Sequence, residues 1–149
     1  MDGGKLLFQL FKIVCGFIAG LIAAGVFLAW GFFLPGPPDQ DPVVFATAVG
    51  SGLVGASVIG AAALVPATVV IVIAEIARLR GLIFHVAAAG AIAFLLWTLG
   101  PEGASANAGE LRPGSAVALA AGFLAGAVYW LIAGRTSGSW QANSAHKSG

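Results

Sequence analysis

Residues 13–34 read IVCGFIAGLIAAGVFLAWGFFL, twenty-two residues without a charge. A helix rises 1.5 Å per residue and a bilayer core is about 30 Å thick, so about 20 such residues cross it. This run is long enough to span a membrane. It also outruns the apolar region of a cleaved signal peptide, which is about 7–15 residues long and ends at a small-residue site. An amphipathic lead-in, Lys5 to Lys12, precedes it and carries Phe8 and Phe11 at positions suited to the interface. The rest of the composition agrees. Of 149 residues, 59% are hydrophobic and 9% are charged, against about 25% charged in a soluble domain. One small water-soluble core cannot enclose that much apolar surface. A soluble enzyme, a disordered chain and a nucleic-acid binder are excluded, the last also by a net charge of only +1. An integral membrane protein remains.

Three further spans follow. The segment from Pro35 to Pro42 holds four prolines and two aspartates, which break a helix and require water. The next apolar run, Val43 to Ala74, is 32 residues. As one helix it is about 48 Å long, too long for a simple crossing and too short for two. The reading places a span at about 53–74, with 43–52 an interfacial or tilted extension weakened at Gly50-Ser51-Gly52. Pro66 is expected to kink this span and free the carbonyl of Ala62. Glu75 to Gly81 reads as a turn, 82–99 as the third span, 100–114 as a loop and 115–133 as the fourth span. Residues 1–134 thus form one transmembrane domain, and 135–149, rich in Ser and Gly, are expected to be a disordered cytoplasmic tail. The fold class is all-α integral membrane, with four transmembrane helices and a kinked second helix.

The positive-inside rule orients this arrangement. One face holds Lys5, Lys12, Arg78, Arg80, Arg135 and Lys147 against Asp2 and Glu75, a net +4. The other holds Arg112 against Asp39, Asp41, Glu102 and Glu110, a net −3. Both termini are expected in the cytoplasm, and the chain in the cell inner (plasma) membrane as a multi-pass protein. Trp30 and Trp97 fall at the outer ends of their spans and Tyr129-Trp130 toward the inner end of the fourth, as interfacial anchors do.

Membrane helices associate where small side chains let backbones approach. Gly16, Gly20 and Ala24 form such a stripe on the first span, Gly52, Ala56 and Gly60 on the second, and Ala118, Gly122 and Gly126 on the fourth. Each stripe suits packing within one bundle or docking of a partner helix. Gly16-Phe17-Ile18-Ala19-Gly20 also echoes Gly122-Phe123-Leu124-Ala125-Gly126, but the local echoes share no common register.

Signals for chemistry are few. Gly50-Ser51-Gly52-Leu53-Val54-Gly55 fits the dinucleotide-binding pattern, with Glu75 placed where a ribose-binding acid would stand. The pattern needs a strand before it and partly polar helices around it, and here every helix is apolar all round. Cys15 stands alone and excludes an internal disulfide. His85 lacks companions for a metal or haem site, since His146 is in the tail. His85 reads either as an interfacial histidine or as a proton-binding partner of Glu75, and Glu75 and Arg78 are spaced for a local helical pair. Glu75, Arg78 and His85 are the candidate polar cluster of a cytoplasmic mouth. No Asp, Glu, Lys or Arg lies deep in a span, where charge-coupled transport and intramembrane catalysis usually place one.

The expectation is therefore a non-enzymatic membrane protein with no cofactor, no metal, no catalytic residue and no nucleic-acid partner. Its partners are the lipid bilayer and other membrane helices, in a homo- or hetero-oligomer. The first functional expectation is an accessory, assembly or scaffold subunit that packs through the small-residue faces. The second is an oligomeric transporter or channel for a small solute or ion, with Pro66 and the Gly50–Gly52 segment supplying mobile or pore-lining helix.

Overall fold

The computed structural model describes residues 3–33, 37, 40–99 and 113–139. Within them lie four helices long and apolar enough to cross a membrane. They are α1 (Gly3–Phe33), α2 (Pro42–Ile76), α3 (Leu82–Leu99) and α4 (Ser115–Ile132), followed by a short 3₁₀ turn, Gly134–Thr136. There is no strand among the described residues, so residues 50–55 cannot form a strand–turn–helix nucleotide site.

Helix starts and stops follow local chemistry. The Asp41 side chain accepts a hydrogen bond from Val44 N–H at 3.0 Å, and Pro42 occupies the first turn, where its missing N–H costs nothing. That start commits 43–52 to helix at once. The expected weak point at Gly50-Ser51-Gly52 is continuous helix, and the extension and the span are one 35-residue element. Gly52 is also held from outside: a Cβ there would lie 3.1 Å from the Gly25 carbonyl oxygen on α1. The lead-in Lys5–Lys12 is likewise continuous with its span. At the far end of α2, Leu79 N–H bonds the Ala74 carbonyl at 2.9 Å while Arg78 takes the left-handed conformation, φ 54°. This closes the helix as a glycine C-cap would. Glu75 belongs to the last turn of α2 rather than to the connecting turn. Gly114, at φ 88°, starts α4, and a Cβ there would meet the Trp97 ring at 2.9 Å.

The bundle is built inside out relative to a soluble protein. Apart from Tyr129, its buried apolar residues are all alanines, among them Ala24, Ala56 and Ala121. Large side chains face outward, with Ile83 83% and Leu99 80% exposed. In lipid, outward apolar surface is no penalty, and close backbone approach supplies the attraction. α1 packs against α2 on one side and α4 on the other, and α4 packs in turn against α3. α2 and α3 therefore stand at the two ends of the row and touch only sparsely.

All three small-residue stripes serve these internal contacts. A Cβ on Gly20 would lie 2.9 Å from the Ala125 carbonyl oxygen of α4. Gly60 receives Leu21 of α1, and Gly122 and Gly126 lie against the Ala89 and His85 carbonyls of α3. Two positions outside the expected stripes do the same work. Gly25 meets the Gly52 carbonyl, and Gly90 accommodates the Phe123 ring.

The start of α1, the α2–α3 turn and the segment after α4 meet at one end of the bundle, joined by Gln9, Glu75 and Gly138. Residues 135–138, the first part of the tail expected to be disordered, are ordered here. Their backbone is bound by Glu75 and by Arg80, whose Nε donates to the Ser137 carbonyl at 2.8 Å. Residues 140–149 of that tail, and residues 100–112 of the loop, lie outside the described residues.

The packing predicts a sharp contrast between two substitutions. Gly122→Val would drive its Cβ to 2.7 Å from the Ala89 carbonyl oxygen and should cost about 1–3 kcal/mol in detergent unfolding. Gly55→Ala, which meets nothing within 4 Å, should cost nothing and can add up to about 1 kcal/mol, the helix preference of alanine over glycine.

Candidate functional site

Two features adjoin at the end where the termini meet. The first is a knot of polar side chains. Gln9 is buried on α1, in the lead-in that also carries exposed Phe8 and Phe11. Its Nε2 donates to Glu75 Oε1 at 2.7 Å, and its Oε1 accepts from Thr136 Oγ1 at 3.0 Å. Glu75, itself buried, accepts the Gly138 N–H on Oε2 at 2.8 Å. Gly138 has φ 68°, and a Cβ there would fall 2.6 Å from Arg78 Cγ, so a side chain has neither room nor a relaxed backbone. Trp130 Nε1 donates to the Arg80 carbonyl at 2.8 Å and ties α4 to the α2–α3 turn. A buried carboxylate needs such donors, because burying it alone is costly.

The second feature is a half-open cavity of about 300 Å³ lined by all four helices. It lies in the gap between α2 and α3, with α1 and α4 as its back. Val58, Ala62 and Ala67 line the α2 side, and Ala88, Ile92 and Trp97 the α3 side. Its lining is apolar except toward the knot, where His85 and Tyr129 close it.

His85 is buried in the first turn of α3. Its Nδ1 lies 2.9 Å from the Gly81 carbonyl oxygen. A carbonyl only accepts, so in the neutral ring Nδ1 carries the proton and Nε2 keeps a lone pair. That Nε2 is buried and has no hydrogen-bond partner among the described residues. The ring stacks on Tyr129, centroids 5.6 Å apart, and meets Phe84 edge-on at 5.4 Å. A Cβ on Gly134 would lie 3.0–3.1 Å from three atoms of the imidazole, over its face.

The structure brings Glu75 and His85 to the same end but not into a hydrogen bond. Glu75 bonds Gln9 and Gly138, His85 bonds Gly81, and the His85 ring stacks on Tyr129. The imidazole faces protein instead of headgroups. Arg78 remains exposed at the turn. Of the packing stripes, Gly20, Ala24, Ala118, Gly122 and Gly126 contribute to the cavity wall as well as to helix contacts.

Sequence reasoning did not single out Gln9, Thr136 or Ser137. Gln9 had a readable signal, a lone amide within the apolar Leu6–Leu10 stretch. Thr136 and Ser137 had none, being ordinary residues of a polar tail. No group of three or more metal-ligating side chains occurs among the described residues. Compared with known proteins, the chain matches no family model, no curated protein and no solved structure.

The knot makes one residue-level prediction. Glu75→Gln keeps the side chain's size but leaves one uncharged acceptor oxygen where the carboxylate has two, so it cannot accept from both Gln9 Nε2 and the Gly138 N–H. Hydrogen exchange at the amides of residues 136–138 should quicken by about tenfold or more, since a charge-assisted bond contributes about 1.5–3 kcal/mol. The helical amides of α3 should be unchanged.

Proposed function

We propose that this chain is a multi-pass protein of the cell inner (plasma) membrane, both termini cytoplasmic, that binds a small, largely apolar solute within the membrane. The solute passes between lipid and protein through the α2–α3 gap, as in a carrier or transporter. No chemical step is assigned to it. The observation that carries this reading is the apolar cavity of about 300 Å³ between α2 and α3, neighbours that touch far less than the other adjacent helix pairs. Small-molecule sites fall at about 300–1,000 Å³ and are mostly apolar with a few polar groups. A partner helix, about 10 Å across, is too large for this space.

The accessory-subunit expectation drew its support from the small-residue faces. Those faces are filled by the chain's own helices, so the weight moves to the solute-handling expectation. Orientation rests on charge: Lys5, Lys12, Arg78, Arg80 and Arg135 belong to the end where the knot lies. Pro66 stands beside the cavity-lining Ala63 and Ala67 on α2. A bend at Pro66 would swing one half of α2 relative to α3 and widen or narrow the opening.

Ala88→Leu tests the reading, because it adds bulk from the α3 wall at a half-buried position. In nanodiscs, 1-bromododecane should quench the Trp97 share of the fluorescence, defined by comparison with Trp97→Phe. Ala88→Leu should weaken that quenching at least several-fold. Equal quenching in both proteins would refute a ligand in this cavity. Labelling an introduced cysteine at Arg135 with a membrane-impermeant reagent only after cells are opened would support the orientation, and labelling in intact cells would reverse it.

A further inference from the structure

We propose that residues 134–138 form a releasable strap across the knot end of the cavity, seated over His85 in this structure and able to lift as one unit. Seated, it keeps water from His85 Nε2. Lifted, it leaves the His85 and Tyr129 rings as the wall between the cavity and solvent. The role as a closure rests on the cavity reading above; the release itself does not.

The segment is built as a unit. α4 ends at Ile132. Beyond it, Thr136 N–H bonds the Ala133 carbonyl at 3.0 Å and Ser137 N–H the Gly134 carbonyl at 3.2 Å. Glycines stand at both ends of the strap, Gly134 just past the helix and Gly138 at φ 68°. Positions at the end of an element that carry no side chain can absorb a change of backbone angle.

The seat is polar and comes from distant parts of the chain. Glu75 Oε2 accepts the Gly138 N–H at 2.8 Å, and Arg80 Nε donates to the Ser137 carbonyl at 2.8 Å. Thr136 Oγ1 donates to Gln9 Oε1 at 3.0 Å, and Gln9 Nε2 donates in turn to Glu75. The strap itself reads Gly-Arg-Thr-Ser-Gly and brings no large apolar side chain to this seat. Polar bonds hold it.

Seating also has a cost. Ser137 is 1% exposed, and its Oγ has no hydrogen-bond partner among the described residues. His85 Nε2 is in the same position beneath Gly134, whose Cβ would lie 3.0 Å from it. A buried polar atom left unpaired costs about as much as a hydrogen bond to a charged group contributes. Two such atoms therefore offset the Glu75 and Arg80 bonds. Lifting the strap returns both atoms to water, so the seated and lifted states are close in free energy. Local opening of this kind draws on segments with few buried apolar contacts. His85 and Tyr129 also line the cavity, so the strap covers the outer side of the same wall.

Two substitutions move the balance in opposite directions, and neither residue lines the cavity. Ser137→Ala removes the unpaired hydroxyl and keeps the carbonyl that Arg80 binds. Arg80→Met removes the donor and keeps the backbone carbonyl that accepts from Trp130. The readout is acylation of His85 by diethyl pyrocarbonate in nanodiscs, located by mass spectrometry in a His146→Ala background. The reagent needs an imidazole lone pair, and with Nδ1–H on the Gly81 carbonyl that lone pair is on Nε2. Arg80→Met should quicken the reaction by about tenfold and Ser137→Ala should slow it severalfold. Hydrogen exchange at the Gly138 amide should change by the same factor in each protein, because one motion uncovers both atoms. Equal reaction of His85 in all three proteins, or changes that the Gly138 amide does not share, would overturn the strap. Quenching of Trp97 by 1-bromododecane in the same samples keeps the two readings apart. Quenching that persists while His85 ignores both substitutions overturns the strap alone. Strap-linked reaction of His85 with no quenching at Trp97 overturns the closure of a ligand cavity and supports the release.

Discussion

Helices in a bilayer gain nothing by hiding apolar surface from one another, because the lipid is as apolar as they are. Only close approach of backbones draws them together. In this chain that approach is concentrated on α1 and α4, the two middle helices of the row. Gly20 lies on the Ala125 carbonyl, Gly25 on the Gly52 carbonyl and Gly122 on the Ala89 carbonyl. Each contact needs a residue without a side chain on one partner. The outer helices α2 and α3 have such contacts with the middle pair and few contacts with each other. The gap between them, and so the cavity, follows directly from where the glycines are placed.

The polar knot answers a second constraint at the same end. Three parts of the chain, the start of α1, the α2–α3 turn and the segment after α4, are joined through Glu75, Gln9 and Arg80. This fixes the base of the bundle. Tyr129 and His85 lie where the knot adjoins the cavity. They are shielded by the knot below and open onto an apolar space above. That position gives the cavity a polar end without placing a charge in the membrane, in keeping with a sequence whose spans hold no deep ionisable group.

Much of this was legible in the sequence, and the reasons are physical. Uncharged runs of the right length identify spans directly, so α3 falls on 82–99 and α4 within a residue of its expected end. The glycine stripes were visible as spacings, but which neighbour each would meet was not, because a stripe fits any close backbone. Gly25 was missed since it lies outside the Gly16–Gly20–Ala24 face, though Leu21, Gly25 and Ala29 share a four-residue spacing of their own. The break expected at Gly50–Gly52 failed because glycine permits a break without compelling one, and Asp41-Pro42 had already started the helix. The ordered 134–138 segment was unreadable from composition. Its order comes from partners 57 and 63 residues away in sequence.

The account stands or falls on the separation of α2 and α3. Electron paramagnetic resonance in bilayers reads it directly, with a spin label at Ala88 in a Cys15→Ala background and molecular oxygen as the apolar relaxant. The account predicts that oxygen reaches Ala88 nearly as readily as the exposed Ala87 and far more than the buried Ala56, which lies outside the cavity, and that dodecane lowers access at Ala88 and not at Ala87. Access at Ala88 as low as at Ala56, with dodecane without effect, would mean that α2 and α3 close on each other and that no such cavity exists.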